Sequence, residues 1–238
     1  TQLQSSAASD VYKRQIKGAL IVAPKGVYKN WDQIEFPTHM PEHIEYTKVL
    51  WEPNITKRKQ AELDTLFEDN HKLKILIMNV EAFSTSKGLD FAHSFLNIFV
   101  GRALFGIDES TTIKNPTAKR TKNILKIGDL AKYRRILTGS PVTKSPLDLF
   151  SQCEFLDPHH LGHASYYSFR ARYANMVKRN FGGRQVQLVV SYRRLDELAD
   201  ILDKFSYRVL KEDCLDLPEK IFTKRYVCLL YTSDAADD

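Results

Sequence analysis

Four short runs dense in branched and aromatic residues constrain this chain more than any other feature: Ala19–Ala23 (ALIVA), Leu73–Met78 (LKILIM), Ala103–Asp108 (ALFGID) and Arg135–Thr138 (RILT). None alternates apolar with polar as a half-exposed strand would, so each reads as a strand buried on both faces, the habit of parallel sheets. Helical patterns separate them. Thr56–Asn70 gathers Leu63, Leu66 and Phe67 on one side, and Leu89–Val100 gathers Phe91, Phe95, Ile98 and Phe99. Asn115-Pro116 predicts an N-cap and first-turn proline for a helix through Ile127. Ser145-Pro146-Leu147-Asp148 reads as a capping box opening a helix through Phe155. Strands alternating with helices predict the α/β class, with a doubly wound, mostly parallel sheet. Ligands of such sheets bind beyond the carboxyl ends of the strands. Four polar segments fall there: Pro24-Lys25-Gly26, Asn79-Val80-Glu81, Asp108-Glu109-Ser110-Thr111 and Thr138-Gly139-Ser140-Pro141.

The two ends are set apart from this reading. Ser5–Gln15 (SSAASDVYKRQ) and Cys228–Asp237 (CLLYTSDAAD) are encoded by the two strands of one DNA duplex, that of a transposon-type sequencing adapter. Residues 1–15 and 228–238 are therefore expected to be adapter-derived tails, and 16–227 the natural segment of a longer gene.

Setting the ends aside removes Lys13, Arg14, Asp10, Asp234, Asp237 and Asp238, so 35 basic and 29 acidic residues become 33 and 25, a formal net charge of +8. A basic excess favours a polyanionic partner. No apolar run approaches the ~20 residues that span a bilayer, so no membrane partner is expected. Cys153 and Cys214 are too few and too far apart for a disulfide framework or a cysteine zinc site, which fits a reducing, intracellular setting.

The adjacent carboxylates Asp108-Glu109 alone are more often solvated acids than catalysts, and Lys25 alone is usually a surface lysine. His159, His160 and His163 in PHHLGH read as loop or helix-start residues, since no carboxylate or cysteine set completes a metal site. Phe169–Arg184 (FRARYANMVKRNFGGR) interleaves cations with aromatics, as either a nucleic-acid surface or an amphipathic helix. The stripe Leu195, Leu198, Ile201, Leu202 and Phe205 reads as core.

Three longer segments, LIVAPKGVYKNWDQIEF (20–36), GIDESTTIKNPTAKRTKNILKI (106–127) and RRILTGSPVTKSPLDLFSQCEFLDP (134–158), resemble motifs Ia, II and III of superfamily 2 helicase-like ATPases of the Swi/Snf branch. LDELADILDKFSYRVLKEDCLDLPEK (195–220) is similar to the end of that family's first RecA-like lobe. The resemblance implies a RecA-like, P-loop NTPase-type lobe over 16–158, a helical protrusion and lobe end over 159–217, and a linker from 218–227 to a second lobe. It implies ATP and Mg²⁺ as cofactors and DNA, double-stranded, as partner, in a protein of the cytoplasm or nucleoid, cellular or viral.

The site residues follow from the same resemblance. Asp108 would bind Mg²⁺ through water and Glu109 would orient or deprotonate the attacking water. Thr138, Gly139 and Ser140 would couple the nucleotide site to DNA movement. Pro24, Lys25 and Asn30, with Trp31 beside them, would meet nucleic-acid phosphates. Motif II reads Asp-Glu-Ser-Thr in place of the usual Asp-Glu-Ala-His, and Ser140 stands where the family carries threonine. Nowhere does Gly precede Lys, so no G-x-x-x-x-G-K-[ST] phosphate loop is present. In the family that loop precedes motif Ia, so it is expected to lie upstream of this segment, and the segment alone is expected to be inactive. A strand-separating helicase on DNA or RNA, a non-catalytic nucleic-acid-binding module, and a magnesium-dependent nuclease using the acid pair are the competing expectations.

Overall fold

The computed structural model describes residues 15–182 and 184–209. The readings made on residues 1–14 and 210–238, Cys214 and the 218–227 linker among them, lie outside the described residues. Five strands form one sheet: β1 (Gly18–Ala23), β2 (Tyr46–Leu50), β3 (Leu73–Asn79), β4 (Ala103–Ile107) and β5 (Tyr133–Ile136), in the order β2-β3-β1-β4-β5. Every pairing is parallel. β2 escaped the sequence reading because YTKVL sits on the sheet edge and mixes polar with apolar, so no dense apolar run marks it. β5 begins two residues before the predicted run and ends at Ile136, with Leu137 N–H still donating to Ile107 O of β4.

Because side chains alternate across a strand, each central strand contributes to two cores. Leu20, Val22, Leu76, Met78, Phe105 and Ile107 face one, and Ala19, Ile21, Ala23, Ile75, Ile77 and Leu104 face the other. The first core is closed by α3 (Ser86–Ile98) and α4 (Lys119–Gly128), where Phe105 packs between Phe83 and Phe155 with ring centroids 6.3 and 4.8 Å away. The second is closed by a helix over 28–39, α1, through Tyr28, Trp31 and Phe36. Helices on both faces make the fold doubly wound, as expected.

Within α1 the Trp31–Glu35 turn is a wide π turn, in which Phe36 N–H donates to Trp31 O. Pro37 accounts for it: a proline has no N–H to continue the i to i−4 ladder, and its ring crowds the carbonyl four residues back. α2 (Lys57–Asp64) and a 3₁₀ turn, Thr65–Phe67, fill the Thr56–Asn70 pattern, with Thr56 as N-cap. α3 starts three residues earlier than predicted, because Thr85 Oγ1 accepts from Gly88 N–H and caps it. Asn115-Pro116 does not open a helix. Asn115 Oδ1 accepts from Thr117 N and Oγ1, which closes a local turn, and α4 begins only at Lys119. The Ser145 capping box is present and leads through Pro146–Asp148 into α5 (Leu149–Leu156).

The extension after α5 is mixed rather than helical. α6 (Tyr166–Tyr173) gives way to an antiparallel hairpin, β6 (Ala174–Phe181) and β7 (Arg184–Tyr192), before α7 (Leu195–Asp203). Of the two readings of Phe169–Arg184, the amphipathic helix holds only to Tyr173. Gly182, with φ of +55°, turns the chain, and QVQLVV beyond it is rich in β-branched residues. In the stripe expected as core, Leu198 is buried and Ile201, Leu202 and Phe205 pack on it, but Leu195 is exposed at the helix start. Among the described residues no helix is long and apolar enough to cross a membrane.

Gly88 shows packing outweighing propensity. A Cβ there would lie 2.4 Å from Ala82 O and 2.9 Å from Ala82 C, both main-chain atoms. In open space Gly→Ala within a helix gains about 1 kcal/mol. Here the clash should reverse the sign, and Gly88→Ala should destabilise by about 1–3 kcal/mol, read as a lower denaturant midpoint. A midpoint that rises would show the Ala82 backbone free to yield.

Candidate functional site

All five carboxyl ends share one edge of the sheet, and the strand order reverses at β1 and β4, where a crevice forms in doubly wound folds. The register puts Val22 opposite Ile107, so Ala23 and Asp108 leave the sheet side by side, with Asp108 N–H donating to Val22 O at 2.8 Å. Pro24-Lys25 and Asp108-Glu109 therefore flank the same point. β5 lies on the other side of β4, which brings Thr138, Gly139 and Ser140 to the same rim.

Asp108 is half-buried and held from two directions: its Oδ2 accepts from Trp31 Nε1 at 2.9 Å, and its Oδ1 accepts from Glu109 N at 2.9 Å. Trp31 thus connects the segment after β1 to the acid pair, a role its position in the sequence did not disclose. Glu109 is exposed and its backbone is left-handed, φ 48° and ψ 60°. A non-glycine residue there carries strain of order 1–3 kcal/mol, of a kind that gathers where a side chain must be aimed.

The next residue is locked into the interior. Ser110 N–H donates to Leu137 O at 3.0 Å, while Leu137 N–H donates to Ile107 O at 2.8 Å, so the two rim loops are stitched together by main chain. Ser110 Oγ donates to Gln152 Oε1 at 2.6 Å, and both side chains are fully buried. The Gln152 amide then donates to Pro141 O and Asp148 O, both at 2.8 Å. A single buried carboxamide joins the acid-pair loop to the 138–141 loop. Sequence reading passed over Gln152, although an amide within LFSQCEFL, between Phe150 and Cys153, was a visible oddity.

Asp148 holds the far side of that loop. Its Oδ2 accepts from Thr143 Oγ1 (2.8 Å), Lys144 N (2.9 Å), Thr143 N (3.1 Å) and Ser145 N (3.5 Å). Lys114, on the acid-pair side, donates to Thr143 Oγ1 and lies 3.9 Å from the Asp148 carboxylate. Burial alone would push the Asp148 pKa up; the hydrogen bonds from Lys144, Thr143 and Ser145 outweigh it and hold it below the ordinary value. The 79–81 segment joins the rim through Arg120, whose Nε donates to Thr112 O and whose guanidinium lies 3.7 Å from Glu81.

Not every singled-out residue converges. Lys25 and Asn30 are exposed, as are Gly139 and Ser140, and Thr138 is half-buried with Oγ1 accepting from Ser140 N. His160 stacks on Phe205 at 4.1 Å, and His163 meets Phe169 and Tyr173 edge-on, each at 5.6 Å, so these two histidines pack against aromatic rings. Burial raises the Cys153 thiol to about 12, which leaves it unreactive.

Residues 5–233 match the SNF2-related domain family. The chain belongs to that family. It is 34% identical over 116 residues to mouse "DNA annealing helicase and endonuclease ZRANB3", covering 48% of this chain and 11% of that protein. It is 34% identical over 121 residues to yeast "TATA-binding protein-associated factor MOT1", covering 50% and 6%. With Arabidopsis "Protein CHROMATIN REMODELING 20" the likeness is 24% over 216 residues, 86% of this chain and 14% of that protein. Among solved structures the "Sulfolobus solfataricus SWI2/SNF2 ATPase core in complex with dsDNA" superposes with a TM-score of 0.50 at 25% identity, over 71% of this chain and 31% of that one. The chain thus spans a small part of each relative's length. In this SNF2-related chain the rim loops are held together through Trp31, Ser110 and Gln152.

Two outcomes follow. Gln152→Leu should destabilise by about 1–3 kcal/mol by leaving Ser110 Oγ buried without a partner, whereas adding Ser110→Ala should recover part of the loss. Equal and additive losses in a double-mutant cycle would show the two side chains to be uncoupled. The Asp148 contribution should be full above the ordinary carboxylate pKa of 3.8 and vanish as pH falls through its lower folded value. Asp148→Asn should therefore flatten the acid limb of a stability–pH curve, and an unchanged limb would remove Asp148 from the account.

Proposed function

We propose that this chain is the first RecA-like lobe of an ATP-hydrolysing enzyme that moves along duplex DNA, with a second lobe elsewhere in the same protein. One observation carries this reading: Asp108-Glu109 stand at the strand-order reversal, tied to the segment after β1 by Trp31 and to the 138–141 loop by Ser110 and Gln152. Family membership and the likeness to a core in complex with dsDNA support it.

The rim suits a magnesium–nucleotide complex. Among the described residues no group of three or more His, Cys, Asp or Glu could hold a metal on its own. A single anchored carboxylate with neighbouring space is what Mg²⁺ takes, since it keeps several waters and binds through one or two carboxylates and substrate phosphates. Asp108 would hold it through water, each carboxylate oxygen retaining acceptor capacity beyond its Trp31 or Glu109 bond. When bound, magnesium would neutralise charge on the phosphate oxygens. Glu109, aimed by its left-handed backbone, would orient the attacking water and take its proton. Thr138, Gly139 and Ser140 would sense the state of the acid pair through the Ser110–Gln152–Pro141 connection. Pro24, Lys25 and Asn30 would rest against the DNA backbone, where contacts give affinity without sequence preference.

ATP turnover by the full-length protein, with and without duplex DNA, tests this. Turnover should require DNA, and Glu109→Gln should lower kcat by about 10²–10⁴-fold while nucleotide binding persists. Undiminished turnover in that variant would overturn the assignment. DNA binding with no turnover in the wild type would point to a non-catalytic binding module. Glu109→Gly should also abolish turnover, yet be more stable than Glu109→Ala by up to about 1 kcal/mol, since glycine tolerates the left-handed backbone.

A further inference from the structure

Residues 158–195 contain no Asp or Glu and seven Lys and Arg. Several of these cations are already engaged. Arg172 makes a two-pronged pair with Glu197 at 3.0 and 2.6 Å, Arg194 lies 3.8 Å from the same carboxylate, and Arg193 donates to the main-chain oxygens of Arg172 and Ala171. Those contacts fix the base of the β6–β7 ribbon. Arg193 N–H also donates to Tyr173 O, and the apolar cluster under α6 includes Leu147 and Phe150 from the segment just after the 138–141 loop. The ribbon is thus rooted beside that loop.

The register sets Lys178 opposite Gln187 and Asn180 opposite Gln185, and opposed residues share a face. Arg170 reaches from α6 to Gln187 Oε1 at 3.3 Å, so the same face is continuous with its guanidinium, which lies 5.9 and 5.3 Å from the rings of Tyr166 and Tyr167. Lys178, Asn180, Gln185 and Gln187 are exposed, and Lys178 has no carboxylate partner among the described residues. Met176 and Val189 share this face, and the opposite face pairs Val177 with Leu188 and Arg179 with Val186.

We propose that the cation-and-amide face of this ribbon is a second contact with duplex DNA, separate from the Lys25 rim. It rests on the DNA partner proposed above and needs no nucleotide turnover. Arg, Lys, Asn and Gln are among the side chains that meet phosphate oxygens. A two-stranded ribbon fits the major groove.

Fluorescence anisotropy of the 238-residue chain with a labelled random-sequence duplex tests the site, titrated at roughly 50 and 200 mM salt. Lys178→Gln should weaken binding about five-fold and reduce the salt slope by about 0.9, and joining it to Arg170→Gln should take the slope down by about two. Lys178→Arg should retain the wild-type slope, and Arg179→Gln, which removes the same charge from the opposite face, should change it little. Equal losses from Lys178→Gln and Arg179→Gln would reduce the effect to net charge and overturn the face assignment. Weakening by Lys25→Gln alone would overturn the ribbon site while leaving the DNA reading intact. A wild type that binds no duplex would overturn both. Unchanged thermal midpoints in all variants separate these losses from misfolding.

Discussion

Parallel pairing is the constraint on which the rest depends. A parallel sheet covered on both faces ends all its strands in one direction, so the loops that follow β1, β3, β4 and β5 converge on one rim. Main-chain hydrogen bonds finish the arrangement: Asp108 N–H to Val22 O and Leu137 N–H to Ile107 O extend the ladder one step past the strands. The acid pair and its neighbours are held by the sheet's own geometry, which is why a polar site can sit above an apolar core.

Two kinds of interaction share the work unequally. Clusters around Phe105 and around Ile75 supply most of the folding free energy, since each fully buried aromatic or aliphatic side chain contributes about 1.5–3 kcal/mol. The Ser110–Gln152–Pro141 connection adds far less, of order 1 kcal/mol net per hydrogen bond. Its importance lies in the penalty for breaking it: buried polar groups that lose their partner are expensive.

The fold was largely legible from residues 19–23, 73–78 and 103–108, whose short, mostly apolar runs rich in branched residues suit a strand buried on both faces. β2 was hidden because an edge strand need not be apolar throughout, and the ribbon because YANMVKRN can satisfy helical and extended periodicities alike until its partner strand is present. Asn115-Pro116 misled for a similar reason: the asparagine carboxamide can cap a helix or close a turn, and only the surrounding chain chooses. Of the site, Asp108 and Glu109 were visible as an acid pair at a strand end. Trp31 and Gln152 were not, since their partners lie 77 and 42 residues away.

The chain by itself determined the α/β class, the central strands and the residues that would stand on the rim, because strand burial and motif order are local properties of the sequence. Tertiary structure alone decided which rim residues touch. The Trp31–Asp108 and Ser110–Gln152 bonds exist only once the β2-β3-β1-β4-β5 order has brought distant loops together. A hydrogen bond depends on position and angle between groups whose separation along the chain carries no trace of their distance in space.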